Sequence, residues 1–202
     1  MIERVHALLR HVPPFWVYLF GVGWAVWLFW LGATGGLGAE PINALERAYG
    51  DCALKLLVIG LAITPLRRFL GLNLLRYRRA LGLACFAFVL AHLLVWAILD
   101  VGKPSLLWTE VTDRPYITAG MFAFLCLIPL ALTSNNRAIS RMGTLRWRNL
   151  HRLVYPAAAA AALHQWWVAK SITFEHLAYT AAILALLVIR VPVVDRSLRR
   201  LL

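Results

Sequence analysis

Two histidines, His92 and His164, lie deep inside separate apolar segments of the sequence. The first follows Arg79 by 13 residues and the second follows Arg152 by 12, so both stand at a similar distance from a basic boundary. An ionisable side chain is costly in hydrocarbon, so a histidine at such a depth normally faces the interior of a helix bundle and serves a function. Two neutral imidazoles that face each other from two helices suit the axial ligation of a haem iron, which is the chemistry this spacing predicts.

We expect both histidines at nearly the same depth in a lipid bilayer. At 1.5 Å per helical residue, they lie about 20 Å and about 18 Å from the basic ends of their helices. Because the hydrocarbon core is about 30 Å thick, both fall in the half farther from those ends, where they could share one ligand plane. Small residues before each histidine leave room for a porphyrin edge, or alternatively let helices pack closely, as in any bundle. They are Gly82, Ala84, Cys85 and Ala87 before His92, and Ala157, Ala160 and Ala161 before His164.

His151 is a third candidate ligand, in the segment WRNLHRLVY, 13 residues before His164. This separation places a second metal about 20 Å below the first along the helix, an arrangement that would let electrons cross the membrane. However, 13 residues turn a straight helix by about 220°, so aiming both imidazoles the same way needs a kink or local unwinding at Pro156. The alternative is that His151 is an interfacial helix cap or snorkelling side chain.

The position that should carry the opposing lower ligand holds arginine. Arg78 and Arg79 precede His92 by 14 and 13 residues. A guanidinium is a poor iron ligand but pairs well with a haem propionate. His11 or His6, before the first helix, is an alternative partner at this level. The other alternative is an iron with His151 as its one histidine ligand. We expect His176 to be an interfacial residue.

Composition places the chain among integral membrane proteins. Sixty-one per cent of its residues are hydrophobic and 15% are charged, far from the balance of a soluble domain. The basic residues that produce the net charge of +12 lie between apolar runs, so we expect lipid contacts and no nucleic-acid partner. The cysteines Cys52, Cys85 and Cys126 form no CxxC pair and predict neither a metal site nor a disulfide framework.

Six apolar segments predict an all-α membrane bundle, with residues 1–202 forming a single domain. The first apolar run is too long for the core of a signal peptide and lacks a convincing cleavage site, so we expect it to be retained. The predicted spans are 15–33, 52–66, 80–99, 116–133, 150–168 and 174–191.

Charge alternates between the connections of these spans. One side holds 16 of the 21 Lys and Arg residues, whereas the other holds five of them and seven of the nine acidic residues. By the positive-inside rule we expect both termini in the cytoplasm, which requires an even number of spans. The basic residues on the cytoplasmic side are Arg4, Arg10, Arg67, Arg68, Arg76, Arg78, Arg79, Arg137, Arg141, Arg146, Arg148, Arg152, Arg190, Arg196, Arg199 and Arg200.

Several stretches, in order and correctly spaced, resemble the MsrQ (YedZ) family of haem-binding membrane subunits, within the wider ferric reductase-like transmembrane group. The resemblance covers all of the chain except the first helix and the tail. The stretches are GGLGAEP at 35–41, ALKLL and ITPL within 53–66, RRALGLACFAFVLAHL at 78–93, TDRPYITAG at 112–120, and RWRNLHRLVY with ALHQWW within 146–167.

The resemblance implies one or two b-type haems, with His92 and His164 matching the main bis-histidine pair and His151 matching a position implicated in haem binding. It implies an electron-transfer subunit of the bacterial inner membrane that takes electrons from the quinone pool or a separate flavin reductase, with FMN also associated. The acceptor would be the periplasmic molybdopterin-containing reductase MsrP, a separate catalytic chain that reduces methionine sulfoxide in oxidised proteins. Larger relatives carry two histidines on each ligating helix, and Arg78 and Arg79 depart from that pattern.

Two other functions remain open from the sequence. One is a self-standing ferric or quinone reductase, which would reduce ferric chelates unaided. The other is a non-redox membrane transporter or scaffold whose histidines relay protons or pack. NAD(P)H is not expected as a direct substrate, because no strand is followed by G-x-G-x-x-G and a helix.

The outer loops are the expected docking surface for an electron acceptor. GGLGAEP has the glycines and proline of a tight turn, and the segment 100–116 surrounds Trp108 with charged residues. The alternative is that Trp108 and Tyr116 belong to the aromatic belt of an ordinary membrane interface.

Overall fold

The computed structural model describes residues 6, 7, 9, 11–169 and 171–190. These residues are mostly helical and include no β-strand, as the apolar segments predict. Six of the cations used above to predict orientation lie outside the described residues: Arg4, Arg10, Lys170, Arg196, Arg199 and Arg200. The helices are α1 (Phe15–Ala33), α2 (Pro41–Phe69), α3 (Arg78–Leu94), α4 (Pro104–Asp113), α5 (Pro115–Leu132), α6 (Asn136–Met142), α7 (Thr144–Leu150), α8 (Val154–Val168) and α9 (Phe174–Val188).

Four helical stretches are long and apolar enough to cross a membrane, namely Phe15–Ala33, Pro41–Phe69, Leu75–Asp100 and Pro115–Leu132. They coincide with the first four predicted spans. The fifth and sixth fall on α8 and α9, which have 15 residues each and extend about 22 Å, against a hydrocarbon core of about 30 Å. The helical membrane architecture is therefore confirmed, and the count of six spans stays a prediction.

The second helix is longer than its apolar segment. α2 begins at Pro41, whereas the sequence predicts a span from residue 52. Proline is well suited to the first helical position, where its missing N–H would have no partner within the helix. The polar residues Glu46, Arg47 and Asp51 end the apolar segment in the sequence without ending the helix.

The helical path is interrupted at His151. Residues His151–Leu153 form a 3₁₀ turn between α7 and α8. Pro156, where the sequence places the unwinding, is the third residue of α8 and therefore lies in its first turn, where a proline interrupts no helical hydrogen bond. The 3₁₀ turn changes the direction of His151 relative to His164 while α8 stays regular.

Two antiparallel helix pairs form most of the bundle. The most extensive helix contacts join α2 to α3 and α5 to α8, while α9 packs on α8 and α2. The side chains of Ile63 and Ile183 are fully buried, with 0% exposure. Cys85, one of the small residues noted in the sequence, lies in one apolar cluster with Ala158, Ala162 and Ile183, and Ala161, another of them, packs against this cluster. A π-helical segment, Val95–Asp100, continues α3 past His92.

Tyr49 joins α1 to the rest of the bundle, because its buried hydroxyl donates a hydrogen bond of 2.8 Å to the Ala25 carbonyl oxygen. We expect Tyr49→Phe to lower the free energy of unfolding by about 0.5 to 2 kcal/mol, the range for hydrogen bonds between membrane helices. Unfolding of the purified protein in mixed micelles by increasing SDS measures this change. Tyr18→Phe is the control, since the Tyr18 hydroxyl makes no hydrogen bond within the described residues; equal effects of the two changes would contradict the assignment.

Candidate functional site

His92 and His164 meet inside the bundle, as their spacing in the sequence predicts. His92 lies in the last turn of α3 and His164 near the end of α8. The centroids of the two imidazole rings are 6.0 Å apart, and the ring planes are inclined at 78°. Both rings therefore lie toward the same end of the bundle, away from the ends of α3 and α8 that carry Arg78 and His151.

Each imidazole is oriented by a main-chain carbonyl of the helix that packs beside it. Nδ1 of His92 lies 2.9 Å from the Glu46 carbonyl oxygen on α2, and Nδ1 of His164 lies 2.7 Å from the Tyr116 carbonyl oxygen on α5. A carbonyl oxygen can only accept, so Nδ1 carries the proton and donates it in both bonds. The neutral rings are left with a free lone pair on Nε2, the atom on the opposite side of the ring.

The geometry of the pair fits a haem iron. A metal–imidazole bond is about 2 Å long and the bonded nitrogen is about 1.1 Å from the ring centroid, so two imidazoles on opposite sides of one iron have centroids about 6.2 Å apart. The observed separation is 6.0 Å. A ligating histidine almost always donates its other N–H to a carbonyl, a carboxylate or water, as both of these do. Distance, tautomer and hydrogen bonding thus agree with two axial ligands.

Two glycines that sequence reasoning did not single out face these rings. A Cβ atom built on Gly50 of α2 would lie 3.3 Å from Nδ1 of His92, and one built on Gly120 of α5 would lie 2.9 Å from Nδ1 of His164. The sequence alone gives no signal for them, because their role depends on which helices become neighbours. The repeated spacing from each bonding carbonyl to its glycine, four residues, becomes visible only once the contacts are known.

A cavity of about 370 Å³ lies below the imidazole pair, at the basic end of the bundle. It opens between α2, α3, α5 and the start of α8, and leucine side chains together with Phe86 form much of its wall. The three remaining predicted site residues, His151, Arg78 and Arg79, all line it. The structure therefore brings them together, at a separate site from His92 and His164.

His151 has the opposite tautomer from the upper pair. The Thr133 hydroxyl donates its single proton to the Pro129 carbonyl oxygen at 2.6 Å, so it accepts from Nε2 of His151 at 3.1 Å. The His151 ring also packs on Trp147, with a centroid distance of 3.9 Å. Its free lone pair is consequently on Nδ1.

No second histidine lines this cavity among the described residues. His6 accepts a hydrogen bond from the Asn73 backbone N–H at 3.0 Å and His11 is exposed, and neither of these alternative partners lines the cavity. Arg79 donates to the Asn136 side-chain oxygen at 2.7 Å. The cavity thus offers one imidazole and a cationic wall.

Arg190 contributes to that wall, although the sequence indicates only a topological role for it. The residue follows α9, and its guanidinium donates hydrogen bonds to the carbonyl oxygens of Leu61 and Leu186. It also lies over the Tyr155 ring, 5.6 Å from the centroid. Its charge therefore stands inside the bundle, beside an aromatic wall of the cavity.

The opposite end of the bundle carries the exposed helix α4. Its Trp108 side chain is 76% exposed, and none of the residues of α4 is buried. Just after α4, Arg114 pairs with Glu110 at 3.0 Å and donates to the Tyr116 hydroxyl, and the bond to Tyr116 raises the pKa of Arg114. A docking role for this surface stays a prediction.

Comparison with known proteins gives two kinds of match. Residues 49–162 match the family described as ferric reductase like transmembrane component, a segment that contains His92 and His151 and ends two residues before His164. The chain is also similar to proteins named protein-methionine-sulfoxide reductase heme-binding subunit MsrQ from Brucella ovis, Brucella canis and Brucella melitensis. Each is 46% identical over 175 residues, which is 86% of this chain and 79% of the relative. No solved structure matches the chain significantly.

Proposed function

The chain belongs to the ferric reductase-like transmembrane family and, within it, to the MsrQ heme-binding subunits, and from this premise we propose that it binds b-type haem between His92 and His164 and passes electrons to a methionine sulfoxide reductase. The observation that carries the proposal is the imidazole pair, with centroids 6.0 Å apart and both Nδ1 atoms bonded to main-chain carbonyls. Bound there, haem supplies one-electron chemistry, because its iron alternates between the ferric and ferrous states.

The protein's own residues have binding and orienting roles. His92 and His164 provide the two Nε2 lone pairs, and the Glu46 and Tyr116 carbonyls hold the rings in the ligating orientation. The helices around the pair keep it in an environment of low polarity, which favours a bound cofactor over water and influences its potential. None of these side chains acts as a nucleophile or general acid in the proposal; the reduction of methionine sulfoxide takes place on the partner chain.

Electrons are proposed to enter the protein at the cationic cavity, the cavity lined by His151, Arg78 and Arg79. Arg78, Arg79 and Arg190 surround it with positive charge, and His151 adds a ligand nitrogen. Haem propionates and the phosphate of FMN are both anionic, so either cofactor would form charge-assisted hydrogen bonds with this wall. A quinol from the membrane, or a separate flavin reductase, is the proposed donor.

The positive-inside rule gives the direction of electron transfer in this proposal. With the termini in the cytoplasm of a bacterial inner membrane and six spans in one domain, the cationic cavity faces the cytoplasm and the imidazole pair lies nearer the periplasm. The molybdopterin-containing reductase MsrP is the proposed acceptor on that side, and the exposed helix α4 is the proposed contact surface. The basic loops would then lie among lipid headgroups.

The imidazole pair predicts a specific effect on haem content. Because each histidine would supply one of the two bonds to the iron, we expect His92→Ala and His164→Ala to reduce the haem-to-protein ratio at least about 10-fold, no less than the loss of a hydrogen bond behind a ligand costs. His151→Ala should retain the absorption spectrum of the haem held by the upper pair. Reduced-minus-oxidised spectra and haem quantification on purified variants measure both results.

His176→Ala is the matched control for these variants. Its ring lies at the start of α9, where Thr173 is its one hydrogen-bond partner within the described part of the chain, so haem content should stay at the wild-type level. A wild-type protein without haem would sink the proposal and favour a non-redox transporter or scaffold. A haem-to-protein ratio that is unchanged in both His92→Ala and His164→Ala would instead contradict the assignment of these two residues.

The cationic cavity predicts a second, separable effect. Each charge-assisted hydrogen bond contributes about 1.5–3 kcal/mol, so Arg78→Gln and Arg79→Gln should each weaken an anionic cofactor at this level about 10-fold or more. Haem and FMN are quantified after purification, and the spectrum of the upper haem should be unchanged. Arg67→Gln is the control, because Arg67 is exposed and does not line the cavity; cofactor contents that respond equally to all three changes would contradict the assignment.

The identity of the acceptor has its own test. The protein is reconstituted in liposomes, reduced with a quinol analogue, and its reoxidation is followed at the haem absorption band. We expect rapid reoxidation only with both an MsrP-type reductase and methionine sulfoxide present. Reoxidation by ferric citrate alone, at the same rate, would instead indicate a self-standing ferric reductase.

A further inference from the structure

We infer that Gly50 and Gly120 are positioning residues for the two haem ligands: each allows an imidazole to lie against the neighbouring helix and donate to the carbonyl four residues earlier, and the two bonds together lower the midpoint potential of the haem. The inference rests on the proposed function, since it concerns how His92 and His164 hold iron. It extends that proposal to residues on α2 and α5, which carry neither His92 nor His164 but pack beside the helices that do.

The carbonyls that orient the rings belong to regular helices. In an α-helix the N–H of residue i+4 bonds to the carbonyl of residue i, so the Glu46 carbonyl serves Gly50 and the Tyr116 carbonyl serves Gly120. A carbonyl oxygen has two lone pairs, and the second remains available to an imidazole N–H that approaches from the side. The bonds of 2.9 Å and 2.7 Å from His92 and His164 use this second position.

The residue at i+4 controls access to that position. Every Cα–Cβ bond in a helix tilts toward the N-terminus, so a side chain at i+4 projects over the preceding turn, where the carbonyl of residue i lies. A Cβ at position 50 would lie 3.3 Å from Nδ1 and 3.4 Å from Cε1 of His92. At position 120 the corresponding distances to His164 are 2.9 Å and 3.0 Å. Alanine at either position therefore competes with the imidazole for the same space.

The same arrangement occurs in two separate helix pairs. The carbonyl and histidine are 46 residues apart in the α2–α3 pair and 48 apart in the α5–α8 pair, and the glycine stands four residues after the carbonyl in both. Other helical glycines differ: a Cβ on Gly23, Gly60 or Gly82 would meet no atom within 4 Å. On Gly21 and Gly32 the nearest atoms would lie at 3.9 Å and 3.5 Å, and the turn residue Gly36 would meet only its neighbour Leu31. Within the described helices, the close approach of a Cβ to an imidazole ring therefore occurs at Gly50 and Gly120.

The hydrogen bond behind a ligand affects the iron electronically. Donation from Nδ1–H to a carbonyl raises the basicity of Nε2, and a more basic ligand stabilises the ferric ion more than the ferrous ion. A Cβ that displaces the ring lengthens this bond and reduces the basicity. The midpoint potential should then rise, and haem affinity should fall in the range of about 10- to 100-fold that loss of such partners causes.

The experiment compares Gly120→Ala, Gly50→Ala and Gly23→Ala in the full-length protein in detergent. Haem affinity and the midpoint potential are measured by haem titration of the apoprotein and by optical redox titration. We expect the largest loss of affinity or rise in potential in Gly120→Ala, a smaller change of the same sign in Gly50→Ala, and wild-type values in Gly23→Ala. Alanine is a better helix former than glycine, so a weakened helix does not account for such losses.

The outcomes separate this inference from the proposed function. If the wild type binds haem and His92→Ala does not, but both Gly50→Ala and Gly120→Ala match the wild type in affinity and potential, the inference alone is overturned. If the wild type binds no haem, the proposed function fails and the inference fails with it. Should Gly120→Ala fail to fold, Gly50→Ala, with its milder crowding, decides the question. A Gly23→Ala change as large as the other two would also overturn the inference.

Discussion

The hydrogen bonds from two imidazoles to main-chain carbonyls are the constraint on which the upper site depends. They fix the tautomer of His92 and His164, and they leave the Nε2 lone pair of both rings free to bind a metal. Because each carbonyl belongs to the helix packed beside the ligand helix, the packing of α2 on α3 and of α5 on α8 sets the ligand geometry directly. The packing of these helices therefore determines how the two imidazoles are presented to a cofactor.

The site also shows why sequence reasoning could locate the histidine pair. Histidines are costly in hydrocarbon, so their depth between basic boundaries marks His92 and His164 without any knowledge of the fold. Their orienting partners leave no such mark, since every residue has a carbonyl and only the neighbouring helix decides which one is used. Gly50 and Gly120 were missed for the same reason, and Arg190 because a cation after an apolar run is usually a topology signal.

The ends of the helices could be predicted where hydropathy changes along the sequence. They could not be predicted where proline and backbone hydrogen bonding determine them. α1 and α5 follow their apolar segments closely, whereas α2 extends to Pro41 through polar residues that remain partly or fully exposed. The irregularity predicted at Pro156 is a 3₁₀ turn at His151–Leu153 instead, because a proline in the first turn of a helix interrupts no hydrogen bond. The sequence thus predicts a helix irregularity between His151 and His164 correctly, but Pro156 is not its cause.

The opposite tautomer of His151 has a steric consequence for the lower site. Nδ1 is attached next to Cγ, close to the main chain, whereas Nε2 is on the far edge of the ring. Since Thr133 occupies Nε2, anything held by His151 in this orientation approaches the polypeptide backbone more closely than a group held by His92 or His164. The 3₁₀ turn that carries His151 would accordingly form part of the binding surface of the lower site, whereas at His92 and His164 the far edge of the ring would separate a bound group from the backbone.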